Sequence, residues 1–135
     1  WYYNTFGNPS DSATMSGFSG GAVENEDWLI SLPIDLSAVP SAFLSFQNVK
    51  RYSGNDIEVY YATDYNGGDP NTDGTWTQLF PALDSNTGSW SSWVDSGALD
   101  VSDAAGGTLF VAFKYTSTSS SAATWEIDNV KVSAE

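Results

Sequence analysis

Short runs in which apolar and polar residues alternate, each closed by Gly, Pro, Asn or Asp, recur along the whole chain. Alternation with a period of two puts every second side chain on one face of an extended strand. Turn formers at both ends then set the strand boundaries. Segments 13–18, 27–31, 42–49, 56–63, 75–79, 90–96, 108–116 and 125–132 read as strands in this way. The clearest is 108–116, with Leu109, Val111, Phe113 and Tyr115 pointing inward. In 56–63 the residues Ile57, Val59 and Tyr61 share one face. No long stretch repeats apolar residues at helical spacing; only 100–107 (DVSDAAGG) predicts a short helical turn.

The last strand carries a break in phase. Trp125 and Ile127 point one way by period two, whereas Val130 and Val132 fall on the opposite phase. A bulge at Asp128-Asn129 would return both pairs to the core and re-aim the Asp128 carboxylate. About eight strands with long polar loops predict an all-β fold, an antiparallel β-sandwich of jelly-roll type. Neither an internal repeat nor a change in composition divides the chain, so 1–135 reads as a single domain. The loop 64–75 is long, acidic and rich in turn formers, and 117–121 (STSSS) is a further polar loop.

Composition changes this picture in three ways. Six Trp, seven Tyr and seven Phe in 135 residues can supply much of a core without disulfides. A chain of this size buries roughly two-thirds of the surface exposed on unfolding. Four Lys and Arg stand against 17 Asp and Glu, a formal charge of −13. That balance excludes unassisted nucleic-acid binding, which needs clustered cations, and disfavours an anionic membrane surface. No apolar run is long enough to insert in a membrane as a helix. The chain contains neither histidine nor cysteine, which removes the commonest general base and the most reactive covalent nucleophile. Glycosidase chemistry needs two carboxyl groups facing each other across a cleft, and nothing in the spacing supplies such a pair. The expectation is a binding module and not an enzyme.

A set of segments in fixed order adds a resemblance. Gly7-Asn8-Pro9, Asn25-Glu26-Asp27-Trp28-Leu29-Ile30-Ser31, Leu44-Ser45-Phe46, Tyr52-Ser53-Gly54, Thr63-Asp64-Tyr65-Asn66-Gly67, Ala112-Phe113-Lys114-Tyr115 and Trp125-Glu126-Ile127-Asp128-Asn129-Val130 span nearly the whole chain. Together they resemble the choice-of-anchor J and cleaved-adhesin modules of Bacteroidetes secreted proteins. Those modules are distantly similar to MAM domains and to jelly-roll carbohydrate-binding modules, and occur as appendages of proteases, glycanases and adhesins. The resemblance implies a module that is secreted or at the cell surface and linked to other domains of a parent protein; the module is expected to be a monomer. The resembled modules usually begin with a further strand carrying an acidic residue, ahead of the position of Trp1; either it lies in a segment outside this sequence, and a metal ligand with it, or the domain does without it. The opening on Trp1-Tyr2-Tyr3, with no initiator Met, reads as a piece of a longer exported protein.

Two sets of residues carry the expected chemistry. Calcium takes six to eight hard oxygen ligands. Asp128, at the expected bulge and matching the near-C-terminal Asp of the resembled modules, is the first candidate for a structural calcium ion. Asp27 and Asn8 follow, with Asp11, Asn25 and Glu26 behind them; solvated charges and an Asx-turn at Asn8 are the plain alternatives. The loop 64–73 mimics a calcium loop but lacks the spacing and final Glu of an EF-hand, and reads as solvated. The second set is a sugar platform, since sugars lay their C–H faces on aromatic rings and hydrogen-bond to planar polar groups. Gln47, Glu58, Tyr60 and Lys114 lie in outward phase and are expected on one concave face. Arg51 and Tyr52 lie beside it, with Trp93, Trp90 and Tyr65 as further rings. Sandwich packing is the alternative for Tyr52, Trp90 and Trp93. The expected ligand is a polysaccharide or other glycan; the competing reading is a protein-binding adhesion or spacer module.

Overall fold

The computed structural model describes residues 1–134. They form two antiparallel sheets packed as a sandwich. The strands in chain order are β1 (Tyr2–Asn4), β2 (Ser12–Ser16), β3 (Asn25–Ile30), β4 (Ile34–Asp35), β5 (Ala42–Arg51), β6 (Glu58–Ala62), β7 (Thr77–Leu79), β8 (Val94–Asp95), β9 (Leu99–Asp100), β10 (Thr108–Ser117) and β11 (Thr124–Ala134). One short 3-10 turn, Ser102–Ala104, fills the place where a helical turn is predicted. The first sheet runs β1-β2-β11-β5-β8, with β9 also pairing β5; the second runs β3-β10-β6-β7, with β4 also pairing β10. The chain passes repeatedly from one sheet to the other, so most neighbouring strands are far apart in sequence.

The core lies between the sheets. From the first come Leu44, Phe46, Trp125 and Ile127; from the second come Val59, Tyr61, Leu109, Val111, Phe113 and Tyr115. Phe46 meets Phe113 edge to face across the interface, with centroids 5.0 Å apart. Edge-to-face contact suits the ring quadrupoles. Two buried aromatic heads find polar partners, as burial demands. Trp125 Nε1 donates to the Asn55 carbonyl at 3.0 Å. The Tyr115 hydroxyl donates to the Ala123 carbonyl at 2.7 Å and accepts the Gly17 N–H at 2.8 Å.

The structure departs from the sequence expectation in three places. Segment 90–96 is a strand only at Val94–Asp95; its tryptophan-bearing part is a loop held by side chains. Tyr2–Asn4, Ile34–Asp35 and Leu99–Asp100 are additional short strands, which pattern alone leaves unassigned because so few residues alternate. The bulge is present: the pairing of β11 with β5 slips between Asp128 and Lys131, and Asn129 adopts φ 51°. It returns Val132 to the core, opposite Leu44, but leaves Val130 51% exposed. The extra residue corrects the phase beyond it, while Val130 lies within the slipped stretch.

Candidate functional site

Every second residue of the first sheet points away from the core, and the cross-strand register sets those residues in rows. On β1 and β2, Tyr2 lies opposite Thr14 and Asn4 opposite Ser12. Glu126 on β11 lies between Thr14 on β2 and Val49 on β5, and Thr124 between Ser16 and Arg51. This outer face forms a groove made of two adjoining cavities of about 820 and 510 Å³. Both are lined by Tyr2, Asn4, Arg51, Trp90 and Glu126, so these five mark the place where the cavities join.

The floor is polar and charged. Glu126 is buried, with 6% of its surface exposed. Its Oε1 accepts a hydrogen bond from Asn4 Nδ2 at 2.9 Å, and the same amide donates to Thr14 Oγ1 at 3.2 Å. Burial raises the Glu126 pKa, opposed by the Asn4 hydrogen bond. Arg51 stands diagonally across the register, where outward side chains are anchored about 7–8 Å apart. Its guanidinium lies 4.4 Å from the Tyr52 ring and 5.8 Å from the Trp90 ring. Its buried Nε has no hydrogen-bond partner among the described residues. Arg51 and Glu126 do not form an ion pair; the ion pairs among the described residues are Lys50–Asp56 and Lys114–Glu26.

The rim is aromatic. Tyr2, Phe6, Phe18, Tyr52 and Trp90 are 54%, 74%, 64%, 46% and 42% exposed, and all of them line the groove. The packing alternative for Tyr52 and Trp90 is therefore corrected: both are surface rings. Tyr52 has φ 68°, a left-handed conformation that a bulky side chain adopts at a cost of about 1–3 kcal/mol. The conformation is fixed in part by its N–H, which donates to the Gly88 carbonyl at 2.9 Å. Trp90 is placed by a polar zipper along β5. Asn48 Nδ2 donates to the Ala82 and Val94 carbonyls at 3.1 and 3.2 Å, and its Oδ1 accepts the Asp84 N–H at 2.9 Å. The Asp84 carboxylate accepts from Lys50 N–H at 2.9 Å, Asn86 N–H at 3.0 Å and Ser91 Oγ at 2.8 Å. The tryptophan loop is thus tied to β5 on both sides of Trp90. Trp93 lines the smaller cavity.

The predicted platform does not lie on one face. Gln47, Arg51 and Tyr52 belong to the first sheet or its margin, whereas Glu58, Tyr60 and Lys114 point outward from the second. Period two fixes inward against outward but not which sheet a strand joins. On the second face the polar groups are already paired. Lys114 Nζ lies 3.3 Å from a Glu26 carboxylate oxygen and 5.1 Å from the Trp28 ring. The Tyr60 hydroxyl donates to Glu58, and burial together with that carboxylate pushes its pKa up to about 12. Trp28, Tyr60, Trp76, Tyr65 and Phe110 form a chain of ring contacts 5.3–5.6 Å between centroids, a half-buried aromatic row on this outer face.

Of the predicted calcium residues, the structure brings Asn8 and Asp128 together and leaves Asp27 apart. Asn8 N–H donates to Asp128 Oδ2 at 2.6 Å, and Asn129 N–H to Asp128 Oδ1 at 2.6 Å. Gln47 Oε1 accepts from Asn8 Nδ2 and from Asn129 Nδ2, both at 2.8 Å, while Gln47 Nε2 donates to Asp95 Oδ1 at 2.7 Å. Gly7 passes so close to Asp11 that a Cβ would lie 2.3 Å from its carbonyl oxygen, and the Asn8-Pro9 bond that follows is cis. Asp27 lies on β3 of the other sheet, opposite Tyr115, and accepts from Asn25 Nδ2 at 2.5 Å. No group of three or more acidic side chains suited to a metal gathers among the described residues. Both Asp128 oxygens and the Gln47 carbonyl are turned toward N–H donors, whereas calcium takes six to eight oxygens. The cluster is a hydrogen-bonded clasp between the 7–10 loop, the bulge and β5.

Sequence reasoning left Glu126, Tyr2, Asn4 and Phe18 out of the site. The signal for Glu126 was its outward phase between Trp125 and Ile127, two core residues. The others come from a three-residue strand and a turn, which carry no comparable periodicity.

Fold and site together define an antiparallel β-sandwich module with an aromatic-rimmed groove on one outer face. The chain belongs to the family described as Domain of unknown function (DUF5017), whose model matches residues 11–135. Arg51, Trp90 and Glu126 fall within the match, and β1 precedes it. No curated protein matches the chain. Among the described residues no helix is long and apolar enough to cross a membrane.

Proposed function

We propose that this module is a non-catalytic carbohydrate-binding domain of a secreted or cell-surface protein. The observation that carries the reading is the groove itself. Arg51, Asn4 and Glu126 supply hydrogen-bonding groups on its floor, and Tyr2, Tyr52 and Trp90 offer exposed ring faces on its walls. A few placed polar groups inside an apolar surround are the usual composition of a small-molecule site. Among the described residues Glu126 is the sole acid lining either cavity, which leaves hydrolysis of a glycoside without its second carboxyl group there. The resemblance to choice-of-anchor J and cleaved-adhesin modules supports the same reading and links the domain to a larger parent protein.

A competing reading, a protein-binding adhesion module, draws on Phe6 and Phe18. These are purely apolar and among the most exposed rings of the molecule. Affinity electrophoresis against plant, algal and animal polysaccharides separates the two. Retardation by at least one glycan, lost when Trp90 is replaced by alanine, supports carbohydrate binding. Migration unaffected by every glycan refutes it.

A further inference from the structure

We infer that the groove binds an internal stretch of a neutral polysaccharide and reads one vicinal diol between Arg51 and Glu126. The inference rests on the carbohydrate reading above and names the ligand class of the same site.

Three observations lead to it. First, the two charges share one groove without pairing. Arg51 lies opposite Thr124 and Glu126 opposite Val49, so they stand diagonally across β5 and β11. The guanidinium has only donors and no acceptor among the described residues; the carboxylate has only acceptors and a single donor, Asn4. A hydroxyl both donates and accepts, so two adjacent hydroxyls meet both needs, one accepting from Arg51 and the other donating to Glu126.

Second, the charge of the site selects against acidic glycans. One cation and one anion on the floor cancel, and the chain as a whole carries −13. A uronate or sulfate chain entering the groove meets the buried Glu126 carboxylate and a repulsive surface field. Neutral sugar rings meet neither.

Third, the groove continues past the charged pair in both directions. Toward the larger cavity it runs along Phe18, Ser120, Ser121 and Tyr52; toward the smaller it runs along Phe6, Ser91 and Trp93. Because the pair lies where the cavities join, neither a reducing nor a non-reducing chain end is needed there.

The test uses the whole module with affinity gels and calorimetry. The neutral probes are mixed-linkage β-glucan, xyloglucan, galactomannan and arabinoxylan, and the acidic probes are polygalacturonate and alginate. The inference expects retardation by at least one neutral polymer and by neither acidic one. Affinity should rise from disaccharide to tetrasaccharide of the bound polymer. Periodate cleavage of the vicinal diols in that polymer should abolish retardation. Arg51→Met, which keeps the stem under the rings, and Glu126→Gln, which keeps an acceptor for Asn4, should each weaken binding about tenfold or more. Binding restricted to the acidic polymers, full binding after periodate, or unchanged affinity in Glu126→Gln overturns this inference and leaves the carbohydrate reading standing. No retention by any glycan overturns both.

Discussion

Asp84 lies outside the groove yet is predicted to govern both its shape and the stability of the fold. It is 7% exposed, and its carboxylate accepts hydrogen bonds from two backbone N–H groups, of Lys50 and Asn86, and from the Ser91 hydroxyl. Asp84→Ala leaves the Lys50 N–H without an acceptor beside a buried strand. A stranded buried donor costs about 1–3 kcal/mol, and a hydrogen bond to a charged group contributes about 1.5–3 kcal/mol. Removing a buried charge offsets part of this sum. The net expectation is a loss of about 3 kcal/mol. With an m-value of roughly 1.5 kcal/mol/M, the urea midpoint falls by about 2 M. Asp84→Asn keeps one oxygen but turns an NH2 toward one of the donors, and should lose about half as much. The assay is urea denaturation followed by fluorescence, paired with glycan affinity measured well below the transition. Folded Asp84→Ala should bind more weakly, because Trp90 is no longer tied down through Asn86 and Ser91. A loss below about 1 kcal/mol, or wild-type affinity in the folded variant, would refute the zipper as the device that places Trp90.

Three further outcomes are expected. Tyr115→Phe strands the Gly17 N–H and the Ala123 carbonyl in the core, so thermal denaturation should report a loss of about 2–4 kcal/mol; a change within about 0.5 kcal/mol contradicts that assignment. The Asp128 clasp closes through N–H donors alone, so chelator treatment should leave the melting temperature unchanged; a fall reversed by added calcium would show that the Asn8 and Gln47 amides turn their oxygens to an ion. Glu126 has its pKa raised by burial, so its ionisation opposes folding. Glu126→Gln should therefore be more stable than the parent at neutral pH. That advantage shrinks as pH falls through the raised value toward the ordinary 4.5, where the parent's own carboxyl becomes neutral. An advantage that grows on acidification, in parallel urea titrations at several pH values, contradicts the burial argument.

Alternation made Leu109, Val111, Phe113 and Tyr115 legible as core, and a single break in that alternation located the bulge beside Asp128. Both are properties of one strand, since side-chain direction on a strand follows from neighbouring positions alone. The same local logic reached Asn8 and Asp128, which the structure brings together at the bulge with two backbone N–H groups turned toward the carboxylate. It set Gln47, Glu58, Tyr60 and Lys114 in outward phase and then merged two opposite faces into one. The groove is less legible still. Arg51, Trp90, Glu126 and Tyr2 come from β5, a loop, β11 and β1, which meet through strand order within the first sheet. Local pattern dictates whether a residue faces inward or outward. Which outward residues become neighbours depends on pairing between distant strands, and that is settled when the two apolar faces close on each other.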